Sequence, residues 1–223
     1  DLAVHSLQDV PTEPVPGLSL AAIPVRAPAH DVLLTREPAR LDALPKGFVI
    51  GSSSPRRSHQ LTHFAPQVTI SPLRGNVPTR LRKLREGHYD AIVLAAAGLQ
   101  RLGLSHEHTL ELDPTRFPPA PGQGALALQS RETGPAREIG AKIDHADTRI
   151  AVTAERAFLQ ATGGGCHAAA GAYARVRGNE MEIFGQVFMT GQALSMRLAG
   201  PRQDADRLGS ELASKLLKGS TLR

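Results

Sequence analysis

A unit of strand, small-residue loop and helix, repeated in the first half of the chain, constrains the fold more than any other feature. Phe48–Ile50 is an apolar run of strand length, and it leads directly into a loop in which Ser54 is suited to cap a helix and Pro55 to begin it. The same order recurs twice, with strands at 68–70 and 91–94 and with helices that end at 84 and 102. Such alternation predicts an α/β fold with a parallel or mixed sheet covered by helices. Ligands of such sheets bind at the loops beyond the carboxyl ends of the strands, where Gly, Ser and Arg cluster in this chain.

The last third of the chain has a different pattern. From Asp147 we predict a helix with one apolar face, and Gly163-Gly164-Gly165-Cys166 follows it. Three strand-like stretches and a closing helix come next, at 172–176, 181–188, 193–198 and 208–216. Several strands followed by a helix predict a small α+β module, distinct from the part before it.

Composition restricts the classes of partner. The formal net charge of +5 favours an anionic partner but does not choose among nucleic acid, a membrane surface and a polycarboxylate metabolite. Aromatic residues make up 4% of the chain and tryptophan is absent, which disfavours stacking of nucleic-acid bases. The lone cysteine excludes an intrachain disulfide and argues for a reducing compartment, and no apolar run reaches the roughly 18 residues of a membrane span. We therefore predict a cytoplasmic protein, and no metal site, since the histidines lack ligand spacing.

Cys166 is the candidate for covalent chemistry. A lone cysteine in a cytosolic protein is most often a small buried hydrophobe, and that interpretation stays open. The three preceding glycines favour instead an exposed loop, because glycine permits positive φ and close backbone approach. A thiol presented in this way can act as a nucleophile or as a covalent anchor, with His167 as a candidate base.

Arginines are the candidates for binding anions. Arg56 and Arg57 stand at a helix start, where two guanidinium groups join free backbone N–H groups and the helix dipole in a site suited to carboxylate or phosphate. Arg74 and Arg80 flank the second loop-to-helix junction, and Arg101 lies near the end of the third unit. A solvated basic surface is the alternative for each arginine taken singly.

Asp9 follows the first predicted strand and precedes Val10-Pro11. An aspartate in this position commonly forms a turn. At the carboxyl end of a strand in an arginine-rich cleft, the same carboxylate could instead stabilise a cationic intermediate. Both interpretations stay open from the spacing alone.

Taken together, these clusters resemble the porphobilinogen deaminase (hydroxymethylbilane synthase) family. Eight segments occur in the order of that family and cover nearly the whole chain. They are Ala3-Val4-His5-Ser6-Leu7-Gln8-Asp9-Val10-Pro11, Gly51-Ser52-Ser53-Ser54-Pro55-Arg56-Arg57, Leu73-Arg74-Gly75-Asn76-Val77-Pro78-Thr79-Arg80, Tyr89-Asp90-Ala91-Ile92-Val93-Leu94-Ala95, Gly98-Leu99-Gln100-Arg101-Leu102-Gly103, Pro121-Gly122-Gln123-Gly124-Ala125, Thr153-Ala154-Glu155-Arg156-Ala157-Phe158 and Gly164-Gly165-Cys166. Any one segment is weak evidence, whereas eight in order are highly specific.

The resemblance implies a fold and a reaction. Two domains are expected to fold like a periplasmic binding protein, the first from residues 1–24 and 120–142 and the second from 25–119, and a third domain at 147–223 is expected to carry the cofactor cysteine. The implied activity is that of a transferase of heme and tetrapyrrole biosynthesis. It condenses four porphobilinogen molecules head to tail, with loss of ammonia, into hydroxymethylbilane. The implied primer is a dipyrromethane cofactor, bound through a thioether to Cys166, and the family suggests a monomer.

The resemblance also implies roles for individual residues. Asp9 is the expected catalytic residue, because its carboxylate can stabilise positive charge on a pyrrole. Expected cofactor contacts come from Cys166, Gln8, Ser53, Ser54, Arg56, Arg57 and Arg80. Expected substrate contacts come from Arg74, Arg80 and Arg101, and Gln123 is given only a supporting role.

Two departures from the family pattern stand out. Gln8 occupies the position where family members generally have lysine, so we expect weaker retention of the cofactor. The family's N-terminal segment, with its first strand and helix, is also missing, so we expect the first domain to be incomplete. Three alternatives then stay open: the chain is inactive, its first domain is poorly folded, or it is a portion of a longer protein.

Other functions are weighed against this interpretation. A non-catalytic anion-binding protein of the periplasmic-binding type would explain the α/β pattern and the arginines, but not the Gly-Gly-Gly-Cys loop. A basic nucleic-acid binder fits less well, because the arginines lie in scattered loops with few aromatic residues.

Overall fold

The structure is a computed structural model that describes residues 1–163, 169–189 and 192–220. The strands of this part of the chain are β1 (Ala3–Ser6), β2 (Leu18–Ala22), β3 (Asp31–Thr35), β4 (Val49–Gly51), β5 (Thr69–Ser71), β6 (Ala91–Ala95), β7 (Thr109–Glu111), β8 (Leu126–Arg131), β9 (Ala170–Arg177), β10 (Glu180–Met189) and β11 (Gln192–Pro201). The α-helices are α1 (Pro55–Phe64), α2 (Val77–Arg85), α3 (Ala96–Arg101), α4 (Pro135–Ala141), α5 (Ala146–Ala161) and α6 (Ala205–Ser220).

A mixed five-stranded sheet forms the middle of the molecule, in the order β5-β4-β6-β3-β7. The strand β4 runs parallel to β5 and β6, whereas β3 is antiparallel to β6 and β7. Both faces are apolar, because Leu33 and Val93 pack into one cluster and Leu34 and Ile92 into another. Burial on both faces explains why these strands have near-continuous apolar sequences. The predicted mixed α/β sheet is confirmed, and only the short edge strand β7 was not foreseen.

A smaller antiparallel sheet has the strand order β1-β8-β2. The strand β8 pairs with both neighbours, so residues 126–131 return to the strand that opens the chain. Its core includes Leu7, Ile23 and Val152, the last of which belongs to α5. This contact places α5 directly behind the loop that follows β1.

The last part of the chain is an antiparallel sheet, β11-β10-β9, with α5 and α6 packed on one face. Phe158, Ile183 and Leu212 are fully buried between the sheet and the helices. Close approach of the two helices depends on Gly209, because a Cβ there would overlap the carbonyl oxygen of Ala154. The predicted α+β module is confirmed. The residue boundaries of the three domains remain a prediction.

The C-terminal module meets the central sheet at residues 118–119. The backbone N–H of Ala172 donates to the carbonyl of Pro119 at 2.9 Å. A Cβ at Gly171 would overlap the carbonyl oxygen of Pro118, so this contact requires glycine. Gln60 of α1 spans the same junction, since its amide nitrogen donates to Pro118 O and to Gln186 Oε1, both at 2.9 Å.

Candidate functional site

A cavity of about 250 Å³ lies where the loop after β1, the start of α1 and the C-terminal module come together. Its walls include Gln8, Asp9, Ser54, Arg56 and Arg57. Five of the residues proposed from the sequence are therefore brought to one place. The cavity lies beyond the carboxyl end of β4, at the start of α1. Ligands of α/β sheets usually bind at such a position.

The start of α1 is built from serines with separate tasks. Ser54 caps the helix, and its hydroxyl accepts from the backbone N–H of Arg57 at 3.4 Å. Ser52 is buried and its hydroxyl accepts from the N–H of Ser54 at 3.2 Å. The hydroxyl of Ser53 both donates to Leu73 O and accepts from Leu73 N, each at 3.0 Å, so it joins β4 to the loop after β5. Ser53 is not among the residues that line the cavity.

Arg56 is a buried arginine, 4% exposed, whose guanidinium is held from several sides. Its Nη1 donates to Gln60 Oε1 at 2.9 Å and to Pro118 O at 3.1 Å, and its Nη2 donates to Gln123 Oε1 at 3.4 Å. The same Nη1 lies 2.9 Å from Asp31 Oδ2. Burial lowers the pKa of Arg56 from its usual value, and the Asp31 carboxylate partly opposes this effect.

Asp31, the first residue of β3, is the buried counter-ion of this arginine pair. Its Oδ1 accepts from Arg57 Nη2 at 2.6 Å and from Gln123 Nε2 at 2.9 Å, while the side chain is 1% exposed. Burial by itself would raise the pKa of Asp31, but the Arg56 and Arg57 guanidiniums and the two hydrogen bonds outweigh it and hold the pKa well below its usual range. Asp31 is therefore ionised. Sequence reasoning missed it, although an aspartate at the head of an apolar strand is a signal for a buried charge.

Arg80 adds a third positive charge near the pair. Burial lowers the pKa of Arg80, and repulsion by Arg57 lowers it further. Its Nε donates to the carbonyl of Gly75 at 2.7 Å, which closes the loop at the start of α2. Gly75 has φ +118°, a conformation that favours glycine.

Arg74 and Arg101, like Arg80, lie outside the cavity wall. Arg101 donates from Nη2 to the carbonyl of Gly124 at 2.7 Å and so reaches the loop that contains Gln123. Arg74 is exposed, and its guanidinium makes no hydrogen bond or ion pair within residues 1–163, 169–189 and 192–220.

The Asp9 loop is a short 3₁₀ turn, Leu7–Asp9, anchored by its first residue. Leu7 is fully buried and its backbone N–H donates to Ala125 O at 3.0 Å. On the far side, Arg156 donates to Val10 O at 2.8 Å and to Pro11 O at 2.6 Å. Burial lowers the pKa of Arg156. Asp9 is thus exposed on a turn that is fixed at both ends.

Glu155 of α5 is a second buried carboxylate that sequence reasoning did not single out. It is 0% exposed and accepts from Arg26 Nη1 and Nη2 at 2.7 and 2.9 Å. It also accepts from the backbone N–H groups of Gly122 at 2.8 Å and Ala174 at 2.9 Å. The Glu155 carboxylate therefore joins the C-terminal module to the two chain segments, one with Arg26 and one with Gly122, that connect the β1-β8-β2 sheet to the central sheet. Its only signal in the sequence is a charge on the apolar face of a helix.

Cys166, the proposed anchor, lies outside the described residues, as does His167. Two residues that flank this segment in the sequence, Leu159 and Ala170, line the same cavity as Asp9 and Arg57. Within the described part of the chain, no group of three or more His, Cys, Asp or Glu residues is placed to hold a metal ion. In that same part, no helix combines the length and apolar character needed to cross a membrane.

Two family models match the chain. The model for "porphobilinogen deaminase, dipyromethane cofactor binding domain" matches residues 1–138. The model for "porphobilinogen deaminase, C-terminal domain" matches residues 149–218. The match of the first model includes every cavity residue from the loop after β1 and from the start of α1.

Curated relatives agree with these models. A porphobilinogen deaminase of Roseiflexus castenholzii is 45% identical over 97% of this chain and 72% of its own length. One of Nitratidesulfovibrio vulgaris is 48% identical over 97% of this chain and 70% of its own length. Among solved structures, the periplasmic VFT2 domain of Bordetella pertussis BvgS is 20% identical with a TM-score of 0.32, over 56% of this chain and 52% of that one.

Proposed function

We propose that this chain, which belongs to the porphobilinogen deaminase family, is a deaminating transferase that joins four porphobilinogen molecules head to tail into hydroxymethylbilane. The observation that carries the proposal is the family match over nearly all of the chain, together with the guanidinium-lined cavity beside Asp9. The product is an intermediate of tetrapyrrole and heme biosynthesis.

The cavity residues fit a dipyrromethane cofactor. Each pyrrole unit carries an acetate and a propionate, so two units present several carboxylates. On the cavity wall, Arg56 and Arg57 share the single carboxylate of Asp31, which leaves positive charge in excess. Arg80 adds to this excess, and guanidinium forks match the geometry of carboxylates. The dipyrromethane, when bound, supplies the pyrrole end to which substrate units are added.

We assign Cys166 as the attachment point of the cofactor. A thioether needs a thiol near the cavity, and Ala170, four residues along the chain, lines the cavity. Ser54 and Gln8 also line the cavity and are the proposed polar partners of cofactor carboxylates. Ser53 is assigned a supporting task, because its hydroxyl already bonds both polar groups of the Leu73 backbone.

Asp9 is the proposed catalytic residue. Loss of ammonia from porphobilinogen leaves an electron-poor pyrrole, and a nearby carboxylate can accept from pyrrole N–H groups and stabilise the positive charge. The Asp9 carboxylate accepts no hydrogen bond from any described residue, so it is available for this task. The turn that carries it is held by Leu7 and Arg156, which keeps the carboxylate at the cavity rim.

Arg74, Arg80 and Arg101 are the proposed contacts for carboxylates of substrate and of the growing chain. Arg74 has an exposed and unpaired guanidinium among the described residues. Arg80 lies near Arg57, and Arg101 reaches the Gly124 loop.

The family match does not favour the alternative of a non-catalytic anion-binding protein. Porphobilinogen is the partner that the family match supports. A cytoplasmic location, a monomeric state and the absence of nucleic-acid and membrane partners are further parts of the proposal.

An assay of porphobilinogen consumption tests the proposed function. We expect hydroxymethylbilane to form in the wild-type protein, and we expect Asp9→Asn to lower kcat by at least about a hundredfold, the usual effect of removing a charge-stabilising group. The control is Asp42→Asn, which removes an exposed carboxylate paired with Arg40 and should leave the rate unchanged. Wild-type protein that consumes no porphobilinogen would refute the proposed function.

A further inference from the structure

We propose that Asp31 is a positioning residue that holds Arg57 ready to bind a ligand carboxylate. The inference rests on the proposed function and deepens it, because it gives the counter-ion of Arg56 and Arg57 a task in ligand binding. Its basis is the different way in which the two neighbouring arginines are bonded.

Arg56 and Arg57 have different numbers of bonding groups left for a ligand. The guanidinium of Arg56 is bonded to Gln60, Pro118 and Gln123 and paired with Asp31. Among the described residues, the Arg57 guanidinium donates only from Nη2, to Asp31, and its buried Nε has no partner. A buried N–H without a partner costs free energy, which a ligand acceptor would recover. Arg56 is thus part of the wall, and Arg57 is the guanidinium with donors to spare.

The negative charge of Asp31 offsets the repulsion between the guanidiniums of Arg56 and Arg57. Two guanidiniums on adjacent residues repel each other, and at 14% and 5% exposure their side chains are little screened by water. The carboxylate of Asp31 lies 2.6 Å from Arg57 Nη2 and 2.9 Å from Arg56 Nη1, so it attracts both. Without that charge, Arg57 would be driven away from Arg56 and out of its bonded position.

Asp31 itself is held by the loop opposite. Gln123 donates from Nε2 to Asp31 Oδ1 at 2.9 Å and to Ala29 O at 2.7 Å. The next residue, Gly124, packs so closely that a Cβ would lie 2.6 Å from Ala27 O and 2.8 Å from Pro28 O. This contact fixes Gln123 against the segment that leads into β3. Hydrogen bonds therefore connect the Gln123 loop to Asp31, and Asp31 to Arg57.

Steady-state kinetics on the full-length protein tests the proposal with Asp31→Asn, Arg57→Gln and the double variant. The asparagine keeps the shape and one acceptor but removes the charge. We expect KM for porphobilinogen to rise about tenfold in Asp31→Asn with little change in kcat, since uniform binding is lost. In the Arg57→Gln background, the same change should alter KM by less than about twofold, because residues that act through one another are not additive.

A matched control comes from another aspartate–arginine pair. Asp144→Asn breaks the ion pair with Arg149 at 2.7 Å, away from the cavity, and should leave KM unchanged. If Asp31→Asn does not fold, Gln123→Met removes the hydrogen bond to Asp31 instead, and its effect on KM should likewise vanish in the Arg57→Gln background.

The outcomes separate the two proposals. An active wild-type protein whose KM is unchanged in Asp31→Asn, or whose KM rises equally with and without Arg57, would overturn the positioning role and leave the proposed function intact. A wild-type protein without turnover would overturn both. Intact-mass measurement of the bound cofactor gives a second readout, and the occupied fraction should fall in Asp31→Asn but not in Asp144→Asn. Each kcat is expressed per molecule of cofactor-bearing protein, so that a lower occupied fraction does not lower it.

Discussion

Replacing Glu155 by glutamine should destabilise the protein strongly, because this carboxylate joins three parts of the chain. It is 0% exposed and accepts four hydrogen bonds, two of them from Arg26, which is itself only 11% exposed. Glutamine has one acceptor oxygen and adds an N–H₂ group that faces existing donors. The change would therefore leave a buried guanidinium without its counter-ion.

The expected loss is about 3 kcal/mol of unfolding free energy, the low end of the range for breaking a buried ion pair by removing one partner. For a chain of this size, such a loss corresponds to a fall in Tm of roughly 6 to 12 °C. Thermal unfolding followed by circular dichroism measures it directly. The same instrument records whether the C-terminal module unfolds separately from the rest in the variant.

Glu211→Gln is the matched control. Glu211 forms ion pairs with Arg207 and Lys215 on the surface of α6, where water screens the charges, and the variant should unfold at the wild-type temperature. A Glu155→Gln protein that loses less than about 1 kcal/mol, as a surface pair does, would refute the reasoning that this carboxylate holds the junction together.

Three further predictions follow from individual residues. Gln8→Lys adds a cation at the cavity wall and should raise the fraction of protein that retains the cofactor, as measured by intact mass; equal and full occupancy in both proteins would contradict it. Gly171→Ala places a methyl group against Pro118 O and should cost about 2 kcal/mol of stability in urea unfolding. Gly98→Ala should cost less, because a Cβ there would meet Val77 at an ordinary contact distance of 3.5 Å. Because the folded-state pKa of Asp31 is depressed, its carboxylate stabilises the protein fully above about pH 4, the pKa of an unfolded aspartate. This stabilisation is lost as the pH falls below that value. Wild-type protein should therefore lose more stability between pH 6 and pH 3 than Asp31→Asn, and parallel curves would exclude this linkage.

The sequence predicted the parts of the fold that local chemistry determines. Ser54 and Pro55 begin α1 as expected, because a side-chain cap and a fixed φ act within one turn. The strands of the central sheet were predicted because burial on both faces leaves an uninterrupted apolar run. The edge strand β7 was missed, since its three residues have no apolar pattern.

The site was predicted only in part, for a physical reason. Arg56 and Arg57 were placed correctly at the start of α1, but nothing local shows that Arg56 is committed to Gln60, Pro118 and Asp31. Asp31 and Glu155 bond to groups far away in the sequence, so their partners depend on tertiary packing. A charge within an apolar run was the available signal in both cases, and it does not identify the partner.

The most direct test of the central claim is the covalent state of Cys166. Intact mass, together with colour development with Ehrlich's reagent, should show a two-pyrrole adduct on the wild-type protein. Both signals should be lost in Cys166→Ser, while a surface variant of an exposed serine, Ser105→Ala, should keep them. An unmodified thiol in the full-length wild-type protein, or an adduct that survives the serine substitution, would contradict the assignment.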